Sequence, residues 1–577
     1  MIKTIVRRSA DMGGTHFSSD IPSLLQRVYA ARGVRDDSEL QNHLKHLPSP
    51  QQLKGANRAV DLLWEVLRTQ QSILIVGDFD CDGATSTALG VLALTAMGFQ
   101  RVDYLVPNRF DYGYGLTPEI VGLAAANKPD LIITVDNGIS SIAGVAAAQQ
   151  AGIKVIVTDH HLPGEQLPDA DAIVNPNQAG CDFPSKNLAG VGVIFYVLSA
   201  LRAILRENNW FSEQGIAEPS MATWLDLVAL GTVADVVPLD RTNRILVHQG
   251  LQRIRAGRCR PGILALMAAA GRDYRRAVAM DFGFFVGPRL NAAGRLDDIS
   301  HGIECLLTDS PDIAREFAQE LDGLNRDRKL IEAQMQKEAV ALVDQLQLDD
   351  DGLPWGLCLY NADWHQGVVG LLASRIKEKV HRPVIAFADA DNGDVKGSAR
   401  SIPGLHIRDA LDAVAARHPD LLSKFGGHAM AAGMSLPVEK LGDFKAAFDD
   451  EVRRQLRDDD LQAVLHSDGE MTSQDFTLER VEQLRDGGPW GQHFPEPLFD
   501  GEFRLVQQRI VGEKHLKLVL AHDSGEAIDA IAFNIDLNQW PATDVERVRC
   551  AFKPDINEWR GNRSLQLIVE QMDKVAS

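Results

Sequence analysis

The sequence predicts an α/β protein in which a parallel-sheet domain is joined by a long helix to a second α/β domain, with a small β-barrel at the carboxyl end. Three observations carry this. From residue 72 to about 240, short continuous apolar runs alternate with helical patterns, as a parallel sheet covered on both faces requires. From 310 to 347, apolar residues keep steps of three, four or seven. Over roughly the last 110 residues the pattern changes to short strands of a small barrel.

In chain order, an N-terminal extension (1–50) precedes the first domain (51–309). Its candidate strands are SILIVG, DYLVP, DLIITVD, KVIVTD and DAIVN. ATSTALGVLALTAMG, TPEIVGLAAANK and SSIAGVAAAQQAG lie between them, and their small and apolar residues suit helices packed on a sheet. Phe317, Leu321, Leu324, Ile331, Met335, Leu342 and Leu346 then mark the connecting helix (310–349). A helix of about 35 residues spans about 50 Å, enough to link two domains. The acidic DDDGLPWG stretch (349–356) opens the second domain (350–460), with strands GLCLY, PVIAFA and DVKGSAR. The barrel (465–577) is read from FRLVQQRI, LKLVLAH, AIDAIAF, VRCAFK and SLQLIVEQM.

Composition narrows the class. A chain of 577 residues suggests three or four domains. The 6 cysteines have no paired spacing and read as reduced thiols, neither a disulfide frame nor a zinc knuckle. The amino terminus lacks the apolar core of a signal peptide, and no run reaches the length of a membrane span, so a soluble, cytoplasmic protein is expected. A net charge of −20 argues against broad, nonspecific duplex binding but leaves room for a basic groove within an acidic shell.

The chemistry starts from Asp159-His160-His161 at the end of KVIVTD. Acids also end other apolar runs: Asp78, Asp80 and Asp82 in IVGDFDCDGA, Asp136 in LIITVDNGIS and Asp235 in GTVADVVPLD. Carboxylates and imidazoles hold divalent ions for hydrolysis, and ligands collect outside the carboxyl ends of parallel strands. A lone D-x-D is a common polar turn. Those five acids and the two histidines of the Asp-His-His run, each expected at a strand end, point instead to a metal-dependent phosphoester hydrolase. The assignment places Asp136 between two ions, Mn²⁺ or Mg²⁺, with Asp80 on one and Asp82, His160 and Asp235 on the other. Asp78 stands as a ligand, a supporting acid or a cap. His161 faces the phosphate, against the alternative of a capping or core histidine, and Asp159 orients an imidazole.

A second constellation is Lys424-Phe-Gly426-Gly427-His428, whose paired glycines, read as preceding a helix, let backbone N–H groups approach an anion. Ser398 and Arg400 add a hydroxyl and a guanidinium. Arg109, and Arg289, Asn291 and Arg295 in GPRLNAAGR, are further phosphate contacts expected in loops, although each arginine alone is equally an ion-pair residue. His365, in a loop opening a helix, is open to a substrate or to a capping role. Trp210, Trp364, Tyr112 and Tyr114 are candidates for stacking on bases, against a packing role.

In combination, GDFDxDG, VDNG, TDHH and GTVADVVPL resemble the acidic motifs of the DHH phosphoesterase superfamily, and GGHAMAAG resembles the glycine-rich signature of its associated substrate domain. VPNRF…GYG, GPRLNAAGR, WHQGVVG and PWGQxFPEPLF resemble its single-strand-specific 5′→3′ DNA exonuclease branch, from about residue 50 to the carboxyl terminus. The resemblance implies a two-ion catalytic set of Asp80, Asp82, Asp136, His160, His161 and Asp235. It also implies a channel too narrow for duplex and an OB-fold for single strands. By resemblance, Arg109, Arg289, Ser398, Arg400 and Gly426 to His428 hold the 5′ end, and Tyr114 is counted among the substrate contacts. Release of mononucleotides in DNA repair and recombination follows, with single-strand-binding protein and a helicase as partners. A monomer suits such a self-contained channel. Cys81 and Ala399 depart from the family's usual alanine and glycine; burial of Cys81 as an inert small residue is the favoured reading. The alternatives are a DHH-family nanoRNase or cyclic-dinucleotide phosphodiesterase, which are shorter, and a noncatalytic DNA-binding scaffold, which loss of the motif acids would favour.

Overall fold

A computed structural model describes residues 3–575 apart from 108–111, 113, 349–351, 391–392, 523–524, 538, 543–544 and 560. Strand β1 (Thr4–Arg7) stands apart from the first sheet. That sheet is built from β2 (Ile73–Val76), β3 (Val102–Leu105), β4 (Leu131–Val135), β5 (Lys154–Thr158) and β6 (Ala172–Val174), all parallel in the order β3-β2-β4-β5-β6.

The apolar runs are continuous because both faces are covered. Ile73, Ile75, Leu131, Ile133 and Ile156 pack on one side with α1 (Ala56–Thr69), α2 (Cys81–Ala96), α5 (Gly190–Glu207) and α6 (Leu225–Ala234). Their strand neighbours Leu74, Val76, Ile132, Val155 and Val157 pack on the other with α3 (Pro118–Ala125) and α4 (Ile142–Gln150). This alternation follows from the two-residue period of a strand.

After α7 (Gly287–Leu296), the connecting helix α8 (Pro311–Leu348) runs 38 residues. Ala314, Ala318 and Leu321 belong to the first core, whereas Met335, Ala339 and Val343 belong to the second domain's core. One helix therefore carries two cores and fixes their spacing. Between them, buried Arg328 bonds Glu332 (2.6 Å) and Asn325 (2.7 Å), and Glu332 also receives Arg375 (2.9 Å) from α9 (Val369–Val380).

The second domain holds β7 (Leu357–Tyr360), β8 (Val384–Asp389), β9 (Asp394–Arg400), β10 (Lys424–Gly427) and β11 (Ala431–Pro437) in the order β10-β11-β9-β8-β7. Only β7 and β8 are parallel. The glycine pair thus lies in an antiparallel hairpin and does not precede a helix, which corrects that expectation. Hairpin N–H groups remain, but no helix dipole assists them.

Strand β12 (Val464–Ser467) pairs in parallel with β1. Beyond it, β13 (Phe499–Val511), β14 (His515–Ala521), β15 (Ala527–Ala532), β16 (Arg547–Trp559) and β17 (Asn562–Lys574) close a barrel, β13-β14-β15-β17-β16. The N-terminal extension holds the barrel to the first domain. Arg7 reaches buried Asp500 at 2.8 Å, and Arg32 grips buried Asp468 through two bonds of 2.9 Å. Among the described residues, no helix is long and apolar enough to cross a membrane.

Candidate active site

The acids gather at the carboxyl end of the first sheet. Asp78 follows β2, Asp136 follows β4, and Asp159 to His161 follow β5. Three of the expected strand-end acids lie elsewhere. Asp80 caps α2, its carboxylate accepting from the N–H of Asp82 (2.9 Å) and Gly83 (3.0 Å), and Asp82 sits in that helix's first turn. Asp235 ends α6. Sequence reasoning misplaced Asp235 because GTVADVV reads as an apolar run, whether strand or buried helix.

Three groups of side chains have ligand atoms within 4.8 Å of one another: Asp78, Asp80 and Asp136; Asp82, His160 and Asp235; and Asp136, His160 and His161. His160 Nε2 lies 3.1 Å from Asp136 and 3.4 Å from Asp235. The first and third groups share Asp136, and His160 links the third to the second. Among the described residues, the buried atoms Asp136 Oδ1, Asp235 Oδ2 and His160 Nε2 have no hydrogen-bond partner. Buried polar atoms are seldom left so, and a divalent cation would satisfy all three.

The electrostatics agree. Burial first, and repulsion from Asp80 second, push the Asp82 carboxyl up to about 7. Burial and neighbouring carboxylates raise Asp136 and Asp235 well above the ordinary range. A cation among them reverses that preference. Burial, with His161 next to it, lowers the His160 imidazole to about 3, which leaves it neutral, the form that binds a metal. His161 behaves oppositely. Burial pulls it down, but its 2.7 Å bond to Asp159 and the nearby carboxylates outweigh that and hold it above its usual value.

Backbone supports fix these side chains. Asp136 adopts φ 63° and Val236, next to Asp235, φ 62°. An aspartate tolerates the left-handed region, whereas a valine there is strained, a form of strain that clusters at functional sites. Asp82 accepts from the N–H groups of Gly190 (2.6 Å) and Val191 (3.0 Å) at the start of α5. A Cβ on Gly190 would stand 2.6 Å from Asp136 Cβ and 2.8 Å from its Cα, so only glycine fits. Asn175 and Asn177 bond the carbonyls of His161 (2.9 Å) and His160 (2.6 Å). Sequence reasoning passed over Gly190, Asn175 and Asn177. The last two were legible as the polar N-P-N turn that ends the DAIVN run.

A cleft of about 960 Å³ separates this cluster from the second domain. Ser398, Arg400, Gly426, Gly427 and His428 line its far wall; Tyr114, His161 and Arg295 line the near one. The His161 and His428 rings lie 5.9 Å apart and nearly parallel, which brings the walls together. Arg400 donates to Ser398 Oγ (3.1 Å) and the Ala399 carbonyl (2.8 Å). Tyr114 bonds the Asp136 carbonyl (3.1 Å) and approaches His161 Nδ1 (3.2 Å).

Other expectations are redistributed. Arg289, Asn291 and Arg295 lie on α7, not in a loop. Arg289 is buried against Asp322 at 2.7 Å, so its charge is matched within the protein. Asn291 accepts from the Cys81 N–H (2.7 Å) and supports the D-x-D turn. Arg295 lines the cleft and donates to the Gly367 carbonyl (3.1 Å). Arg109 lies outside the described residues. From the loop before α9, Gln366 and Gly367 line the cleft, while His365 Nδ1 accepts from the Gly367 N–H (3.1 Å). Trp210 bonds the Met97 carbonyl (2.9 Å) and packs on Trp64, and buried Trp364 bonds Glu338 (2.9 Å); both are packing residues. Tyr112, half-buried, packs against the apolar core on the α3 and α4 face of the sheet. Cys81 is buried, and burial with the adjacent carboxylates pushes its thiol well up, so it stays protonated and inert.

Comparison with known proteins agrees with this layout. Residues 72–232 match the N-terminal domain of the DHH family, residues 355–454 the DHHA1 domain and residues 467–571 the RecJ OB domain. The chain is 57% identical over 559 residues to the single-stranded-DNA-specific exonuclease RecJ of Dickeya dadantii, covering 97% of each chain. It is 56% identical over 555 residues to that of Escherichia coli, covering 96% of each. The crystal structure of RecJ with Mn²⁺ from Thermus thermophilus superposes with a TM-score of 0.80 at 30% identity, covering 97% of this chain and 77% of that one. The Mg²⁺ form superposes with a TM-score of 0.73 at 28% identity.

Proposed function

The chain belongs to the RecJ family of single-stranded-DNA-specific exonucleases, and from that membership and the cleft's geometry we propose how it works. It hydrolyses single-stranded DNA from the 5′ end to 5′-mononucleotides, in DNA repair and recombination. The observation that carries this reading is the cleft itself. One wall offers an acid–histidine cluster for hydrolysis and the other a hydroxyl, a guanidinium and hairpin N–H groups for a terminal phosphate. Their facing positions suit a cut close to a held end.

Asp136, Asp78 and Asp80 would hold one divalent ion, and Asp136, Asp82, His160 and Asp235 a second. Bound Mn²⁺ or Mg²⁺ would supply an activated water and neutralise the charge that develops in the displacement. The chain's own residues do the rest. Asp159 holds the His161 ring at the cleft wall, where it donates to a phosphate oxygen. Arg400, oriented by Ser398 and the Ala399 carbonyl, holds the 5′ phosphate with Gly426 to His428. The barrel binds the trailing strand, as OB-folds do through a groove and stacking surface. Its presence favours a polymer over a dinucleotide as substrate. Single-strand-binding protein and a helicase are the partners that would present such an end, and one chain, a monomer, contains the whole cleft.

The test is digestion with Mn²⁺ of a 5′-labelled strand, the same strand labelled at its 3′ end, and a blunt duplex. Labelled mononucleotide appearing first from the 5′ label, with the duplex spared, is expected. Cleavage confined to di- to pentanucleotides would replace this reading with a small-substrate phosphodiesterase.

A further inference from the structure

Strand register in the second domain sets three rows of residues on the face that lines the cleft. Arg400 pairs with Ala431, where His428 turns the hairpin; Ser398 pairs with Gly433, itself opposite Gly426; and Lys396 pairs with Ser435, itself opposite Lys424. Residues two apart on a strand share a face and stand about 6.8 Å apart, so the rows follow one another in line. The contact between His428 and His161 places the first row nearest the acid cluster and the lysine row farthest from it.

Between them lies open space. Among the described residues, neither Gly426 nor Gly433 has any atom within 4 Å of the position a Cβ would take. Lys396, Lys424 and Ser435 all line the cleft. Neither lysine has an ion-pair partner among the described residues, although the chain carries 79 acids against 59 lysines and arginines. Their backbones are two strands apart, about 9.6 Å, so two long side chains can converge above Ser435. Two unmatched ammonium groups beside a hydroxyl, facing a cleft, are the chemistry of a phosphate site.

Resting on the 5′-end reading above, we propose that the Lys396–Ser435–Lys424 row is an outer phosphate subsite that admits strands carrying a 5′-triphosphate. The inner phosphate lies at Ser398 and Arg400. The outermost phosphorus stands two anhydride links further out, a reach comparable to the row spacing. The reaction is unchanged in kind. Water adds to the phosphorus that joins the first and second nucleotides, the bond to the first nucleotide's 3′ oxygen breaks, and that oxygen takes a proton. The first nucleotide leaves as a nucleoside triphosphate with its anhydride bonds intact, and the strand keeps a 5′-monophosphate.

The experiment compares one oligonucleotide sequence bearing a 5′-monophosphate or a 5′-triphosphate, digested with Mn²⁺ by the full chain and by the double variant Lys396→Gln/Lys424→Gln. The expected first product of the triphosphate strand is the nucleoside triphosphate. In the variant, kcat/KM for the triphosphate strand relative to the monophosphate strand falls at least tenfold. An unchanged ratio overturns the proposal. So does refusal of the triphosphate strand while the monophosphate strand is cut, a result that leaves the exonuclease reading standing. A 5′-phosphorylated dinucleotide as first product would give the row to a second nucleotide instead. If neither strand is cut, the exonuclease reading fails and this proposal with it.

Discussion

Asp136→Asn should make the metal-free protein more stable while removing its activity. Asp136 is about 1% exposed, its Oδ1 has no hydrogen-bond partner among the described residues, and Asp78, Asp80, Asp82 and Asp235 surround it. Asparagine keeps the shape and tolerates the left-handed backbone at φ 63°, so the substitution removes charge without straining the chain. Removing a buried charge that neighbouring carboxylates repel is worth about 1–3 kcal/mol, and that is the expected gain in EDTA. In Mn²⁺ the order reverses, because ligand binding to the native state stabilises the wild type more. Losing the carboxylate proposed to hold both ions would forfeit several kcal/mol of transition-state stabilisation. At about 1.4 kcal/mol per tenfold, that is a loss of roughly a thousandfold or more in turnover. The assay pairs thermal unfolding, with EDTA and with Mn²⁺, against release of mononucleotide from a labelled strand. A variant less stable than wild type in EDTA, or one that retains turnover in saturating Mn²⁺, refutes the reasoning.

Three further outcomes follow from the same geometry. Gly190→Ala drives a methyl into the Asp136 backbone and should cost about 1–3 kcal/mol together with most of the activity; unfolding and digestion of one preparation check both. Arg289→Ala should leave KM for a phosphorylated strand unchanged and lower stability by about 3 kcal/mol, the low end for a broken buried pair because Arg326 still reaches Asp322; a raised KM with unchanged stability would restore Arg289 as a substrate contact. Burial pulls the Asp500 carboxyl up, but bonds from Arg7 and Ser467 outweigh that and hold it below its ordinary value. Its contribution to stability is therefore present above the usual carboxylate range and lost as pH falls through the lower folded value. Asp500→Asn should flatten that acid-side decline in an unfolding series from pH 6 to about pH 3, and an unchanged pH profile would count against the Arg7–Asp500 latch.

Much of the fold was legible because the physics that shapes it is local. Buried parallel strands must be continuously apolar, and the five runs from SILIVG to DAIVN are the five strands of the first sheet. The steps of three and four between 310 and 347 form one helix, since one stripe of it must face two cores in turn. What sequence could not show was tertiary override. GGHAMAAG carries no mark that separates a helix start from a hairpin, because the small residues suit either; pairing with β9 decides it. Asp235 and Arg289 were misplaced for the same reason, a helix read as a strand or a loop. Arg289 in particular looks identical in sequence whether it meets a phosphate or Asp322. The cluster of acids and histidines was legible as a set, but the supports that hold it were not. Gly190 matters only because Asp136 comes within a methyl's width of it, a contact between residues 54 positions apart.

The measurement that tests the account most directly is Mn²⁺ anomalous scattering from crystals of the full chain. The account places two peaks, about 3.5–4 Å apart, in the acid cluster: one among Asp78, Asp80 and Asp136, the other among Asp82, His160 and Asp235, beside Asp136. No peak there at saturating Mn²⁺, or binding confined to the second domain, would contradict it.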